Sequence, residues 1–198
     1  PLKLDRTGPS TKLIPDSELV YSPGSIGFDI AAFVDQTGGY LKTYTETVDG
    51  LTLNGAQIVQ RVAEQFSVNP RLLLALLEFR GQWLSSKTPS ADQQAYPLGY
   101  RNVGFQGLYL QLGRTANRLN DGYYGWKSRG ARTARFQDTS RARIASGLNA
   151  GTVGLQSMLA ADRTYDQWLK DAAPDGFLKT YREWFGEPYQ YAKSILLS

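Results

Sequence analysis

Neither cysteine nor histidine occurs among the 198 residues. Their absence removes thiol nucleophiles, disulfide frameworks, most zinc sites and the Ser-His-Asp arrangement together. Any acid or base chemistry must fall to carboxylates, tyrosine or lysine, and neither a metal nor a cofactor is expected. Long apolar runs are missing too, so no segment approaches the length needed to span a bilayer and the chain is expected to be soluble. There is no initiator methionine and no signal-peptide pattern. A start at Pro1 with a polar lead through Ser10 reads as a processed or excised piece of a longer precursor, with neighbouring domains as candidate partners.

What is present is a chain with 41% hydrophobic residues, enough for one well-buried core. A single domain over residues 25–198 is expected, preceded by an extended arm over residues 1–24, where prolines recur without an apolar period. Leu13, Ile14, Leu19, Val20 and Tyr21 could pack that arm along the body. The net charge is +4, and its distribution says more than its size. Lys127, Arg129, Arg132, Arg135, Arg141 and Arg143 face only Asp138 within one stretch. That stretch reads either as a solvated hairpin with arginines outward or as a flap that holds an anionic polymer. No nucleic-acid module accompanies it, so nucleic acid is not the expected partner.

Hydrophobic periodicity predicts a mainly α fold with one small β-hairpin. Ile26 to Tyr44 reads as helix interrupted at Gly38-Gly39, and a second helix follows Asn54 as N-cap, with Ile58, Val59, Val62, Ala63 and Phe66 on one stripe. Pro70 to Leu84 is so uniformly apolar that it reads as a helix through the domain centre. Residues 85–102 form a long loop, and Gly107 to Asn120 returns to helical spacing, closed by the cluster from Gly122 to Trp126. Ala134 to Ile144 alternates with period two about a turn at Asp138-Thr139, the expected hairpin. Leu148 to Ala160, Tyr165 to Ala172, Pro174 to Phe185 and Pro188 to Leu197 complete the helices.

Three blocks, in order, carry a family likeness across roughly residues 54–197. They are Val68-Asn69-Pro70-Arg71-Leu72-Leu73-Leu74-Ala75-Leu76-Leu77, then Gly107-Leu108-Tyr109-Leu110-Gln111, then Leu148-Asn149-Ala150-Gly151-Thr152-Val153-Gly154-Leu155-Gln156. Together they resemble the soluble lytic transglycosylase and goose-type lysozyme branch of the lysozyme-like superfamily. The first is similar to the family's Asn-Pro helix leading to a catalytic Glu-Ser pair, the second to its Gly-Leu-x-Gln block with one extra residue, and the third to its Asn-Ile-x-x-Gly helix. The later Ala-Tyr-Asn-x-Gly segment of the family has no counterpart.

The resemblance implies peptidoglycan or a related glycan as partner, an extracytoplasmic bacterial location, and glycosidic-bond cleavage by one glutamate. Such a glutamate needs the raised pKa that apolar walls supply. Glu78 is the best candidate acid. Register places it two positions early, however, with Arg80 at the glutamate position and Gly81 at the serine. Residues two apart on a helix point about 200° from each other, and arginine does not give up its proton near neutral pH. The resemblance therefore implies a glycan-binding domain without cleavage. The alternative is an active muramidase or lytic transglycosylase using Glu78, if the helix departs from regular geometry near Gly81. The expected glycan contacts are Arg80, Trp83, Tyr109, Gln111, Tyr123, Tyr124 and Trp126, whose flat rings could stack on sugar faces.

Overall fold

The computed structural model describes residues 5–22, 25 and 27–190. Ile26, the first four residues of the arm and residues 191–198, into which the expected last helix runs, lie outside them. The chain is mainly α-helical, and it forms two compact units: residues 21–116, and residues 1–20 with 117–198.

In the unit of residues 21–116, α2 (Ile30–Thr37) and α3 (Tyr40–Thr43) flank Gly38, which takes the left-handed conformation at φ 66° that ends the first helix. Two strands follow, β1 (Thr45–Val48) and β2 (Leu51–Asn54), paired antiparallel with Val48 opposite Leu51. This second hairpin was not expected. Its signal is Asp49-Gly50, both at positive φ (51° and 80°), the dipeptide that two-residue hairpin turns favour. The short flanking strands bury only Val48, so the alternation around it is weak.

Helix α4 (Gly55–Phe66) opens on the N-cap expected at Asn54, which the Gln57 side chain extends into a capping box, and buries Ile58, Val59, Val62 and Ala63. Helix α5 (Pro70–Gly81) has Pro70 in its first turn, where the missing N–H costs nothing, and Asn69 accepting from the Arg71 N–H at 3.0 Å. Every residue from Pro70 to Glu78 is buried, as a central helix requires. Gln82 then adopts left-handed backbone and stops it. Helix α6 (Ala91–Ala95) lies within the segment expected as loop, and a 3-10 turn (Val103–Phe105) follows that segment.

Helix α7 (Leu108–Ser128) starts in this unit and ends in the other. It runs eight residues past the expected end at Asn120, so the cluster from Gly122 to Trp126 is helical. Glycine costs a helix about 1 kcal/mol. Here it permits contact, because a Cβ at Gly122 would come within 2.7 Å of Ser157 Cβ and 2.9 Å of Gly154 Cα.

The second unit also contains α1 (Asp16–Leu19), β3 (Thr133–Arg135), β4 (Arg141–Arg143), α8 (Ala150–Ala160), α9 (Tyr165–Asp171) and α10 (Phe177–Phe185). The expected hairpin is β3 and β4, with Ala134 opposite Ala142 on the inner face. The arm is woven into this unit. Thr7 bridges Arg143 in parallel, the N–H groups of Leu13 and Ile14 both donate to Thr152 Oγ1, and Leu13, Ile14 and Leu19 are buried. Glu18, also buried, accepts from the Tyr181 hydroxyl and so ties α1 to α10. Helix α8 is buried nearly all round, and its glycines let backbone approach: a Cβ on Gly154 would meet Leu19 Cδ1 at 2.5 Å and Leu119 O at 2.8 Å.

Gly154→Ala should therefore overpack the crossing of α7 and α8, because one neighbour there, Leu119 O, is a fixed backbone carbonyl. A loss of about 1–3 kcal/mol is expected in urea denaturation. A variant as stable as the parent would show that the helices separate without cost.

Candidate functional site

Glu78 sits in the last turn of α5, 8% exposed, where the helix is still regular. Its Oε2 accepts from the N–H groups of Leu84 (2.8 Å) and Ser85 (3.2 Å), and its Oε1 accepts from the Ser85 hydroxyl. The carboxylate thus fastens the turn that leaves α5. Arg80 is half-buried on the same helix end, with its guanidinium carbon 5.3 Å from the Phe79 ring centroid.

Trp83 follows that turn and is fully buried. Its indole N–H donates to Gln93 O at 2.9 Å, and its ring packs against Tyr40 (centroids 4.9 Å) and Tyr44 (4.8 Å). It presents no face on which a sugar could stack. Gln111, at 0% exposure, is also fully used: Oε1 accepts from the Leu98 and Tyr100 N–H groups, while Nε2 donates to Tyr100 O and Phe105 O. One amide thereby holds three points of the chain between α6 and α7.

Sequence reasoning missed Glu46. Its Oε2 accepts from the Leu108 and Tyr109 N–H groups at 2.8 and 3.2 Å, capping α7 from 62 residues away in sequence. Negative charge is favoured at a helix N-terminus, and the exposed N–H groups there need acceptors. Gly107, at φ 97°, makes room: a Cβ there would lie 2.7 Å from Glu46 Oε1. The Tyr44 hydroxyl donates to the same carboxylate at 3.0 Å, and burial, then the nearby Glu46 charge, push its pKa up, so it stays a donor. Beside this joint lies a shallow cleft of about 330 Å³ lined by Tyr44, Ala91, Gln94, Ala95, Gln106 and Gly107. Tyr109 is half-buried, with its hydroxyl on Gln65 Oε1 at 2.8 Å and the Arg61 guanidinium 5.7 Å from its ring centroid.

The remaining expected contacts belong to the other unit. Tyr123 is buried and accepts from Lys127 Nζ at 3.0 Å. Tyr124 packs edge-on against it at 5.1 Å and is 51% exposed. Trp126 is half-buried, with the Arg132 guanidinium 4.3 Å from its ring centroid. Arg132 Nη1 also donates to Ala131 O at 2.9 Å, which fixes the cation in that position. Of the rings expected to meet a ligand, Tyr124 is the most accessible, while Tyr109 and Trp126 are half-buried. No group of three His, Cys, Asp or Glu side chains that could hold a metal ion occurs among the described residues. No helix among them is long and apolar enough to cross a membrane.

Residues 12–196 match the family model described as LasA, N-terminal domain. The chain belongs to the LasA N-terminal domain family. The match spans nearly the whole chain, so both compact units are part of what this family shares. No curated protein and no solved structure matches the chain. In this LasA N-terminal domain, the carboxylates and amide singled out above hold backbone in place.

Two substitutions separate that architecture from chemistry. Glu78→Gln keeps one carbonyl acceptor but turns an NH2 toward donors, and should cost about 1–3 kcal/mol. Gln111→Leu strands two N–H groups and should cost about 2–4 kcal/mol. Urea denaturation reads both; stability unchanged within a few tenths of a kcal/mol for Glu78→Gln would mean that its carboxylate fastens nothing.

Proposed function

We propose that this domain binds cell-wall glycan, peptidoglycan or a related polymer, outside the bacterial cytoplasm and does not cleave it. The reading rests first on Glu78. A general acid must reach the glycosidic oxygen with its proton, whereas both oxygens of Glu78 already accept hydrogen bonds from the turn at Leu84 and Ser85. Arg80 stands where the lysozyme-like resemblance puts the catalytic glutamate, and it is a permanent cation. Supporting the binding half are Tyr124, with half its surface open, and Trp126 with Arg132 stacked upon it. A flat ring beside a guanidinium suits a sugar that carries a carboxylate, the ring taking the apolar sugar face and the cation the acid. The family description, an N-terminal domain, supports a role beside a further domain of a longer protein.

The test is incubation of the purified domain with insoluble peptidoglycan. Expected are co-sedimentation, no released muropeptides, and at least about tenfold weaker sedimentation for Tyr124→Ala combined with Trp126→Ala, or ~1.4 kcal/mol. Muropeptide release that disappears in Glu78→Gln would overturn the non-catalytic reading in favour of the active muramidase or transglycosylase. Failure to sediment would overturn the glycan reading altogether.

A further inference from the structure

The outer face of the β3–β4 hairpin carries a charge arrangement that the fold itself does not balance. Thr133 pairs with Arg143 and Arg135 with Arg141 across the two strands, so two guanidinium groups leave one sheet face directly opposite each other and a third follows two residues along. All three arginines are exposed. Like charges directly opposite on neighbouring strands disfavour the pairing. Among the described residues none of the three pairs with a carboxylate; Arg141 reaches only the Thr133 hydroxyl, at 3.5 Å. Asp138, at the tip, is occupied by the Ser140 N–H (3.0 Å) and hydroxyl (2.6 Å), bonds that hold its pKa low. The other basic side chains of this stretch are engaged: Arg129 with Asp121, Lys127 with Tyr123, and Arg132 over Trp126.

We infer that this face docks an extended acidic segment of a partner protein. The charge is complementary, and guanidinium forks match carboxylates bidentately. The spacing also fits. Arg141 and Arg143 alternate along one strand, an interval of about 6.6–6.8 Å that an extended chain with acids at every second residue repeats. Single-stranded nucleic acid is the poorer occupant because it would need rings for its bases. The nearby rings, Phe136, Tyr165 and Trp168, are packed against one another, with Phe136 and Trp168 buried. The outward residues of the two strands are Thr133, Arg135, Arg141 and Arg143.

The experiment uses a fluorescein-labelled hexaglutamate peptide and the intact domain, read by anisotropy. Binding is expected at low salt, weaker at 0.5 M salt as screening shortens the reach of the charges. Arg135→Gln/Arg141→Gln/Arg143→Gln should weaken it at least tenfold without lowering the melting temperature, since opposed like charges are removed. Arg129→Gln, a nearby arginine paired with Asp121, should retain it. Should the triple variant not fold, Arg135→Gln alone must weaken binding at least threefold. No binding by the parent, equal loss in Arg129→Gln, or tighter binding of an oligothymidylate of the same charge would each overturn the inference. The readout involves no cell wall, so it stands or falls separately from the glycan reading.

Discussion

The carboxylate of Glu78 joins the buried helix α5 to the chain that leaves it, and the surroundings of the candidate site depend on that joint. A negative side chain in the last turn of a helix lies at the wrong end of the helix dipole. It is tolerated there because the Leu84 N–H and the Ser85 N–H and hydroxyl converge on it. With the turn fixed, Trp83 is placed between Tyr40 and Tyr44, and its indole reaches Gln93 in α6. The carboxylate is here an acceptor for its own backbone.

The same pattern recurs at the other two sequence blocks. Gly107 admits Glu46 to the start of α7, while Gln111 uses its whole amide on the segment from Leu98 to Phe105. In the other unit Gly151 and Gly154 bring α8 against the arm, with a Cβ at Gly151 due to fall 2.7 Å from Pro15 O. These residues are explained by packing and hydrogen bonding alone.

The elements legible in the sequence were those with strong local signals. Asn54 announces α4, Asn69-Pro70 announces α5, and the alternation around Asp138 announces β3 and β4. Helix α7 was read short because Gly122 looks like punctuation until its partner Gly154 is known. The β1–β2 hairpin had its signal in Asp49-Gly50 but too little buried surface around it to stand out. Site residues were harder. Nothing local tells that Trp83 and Gln111 are sealed while Tyr124 is open, and no periodicity links Glu46 to a helix 62 residues later.

Amide hydrogen exchange at Leu84 and Ser85 tests the central claim most directly. Both amides should be protected in the parent domain, and in Glu78→Gln they should exchange much faster while Leu73 to Leu77, deep in α5, stay protected. Rapid exchange at Leu84 and Ser85 in the parent would contradict the account, since it would leave the Glu78 carboxylate available for chemistry.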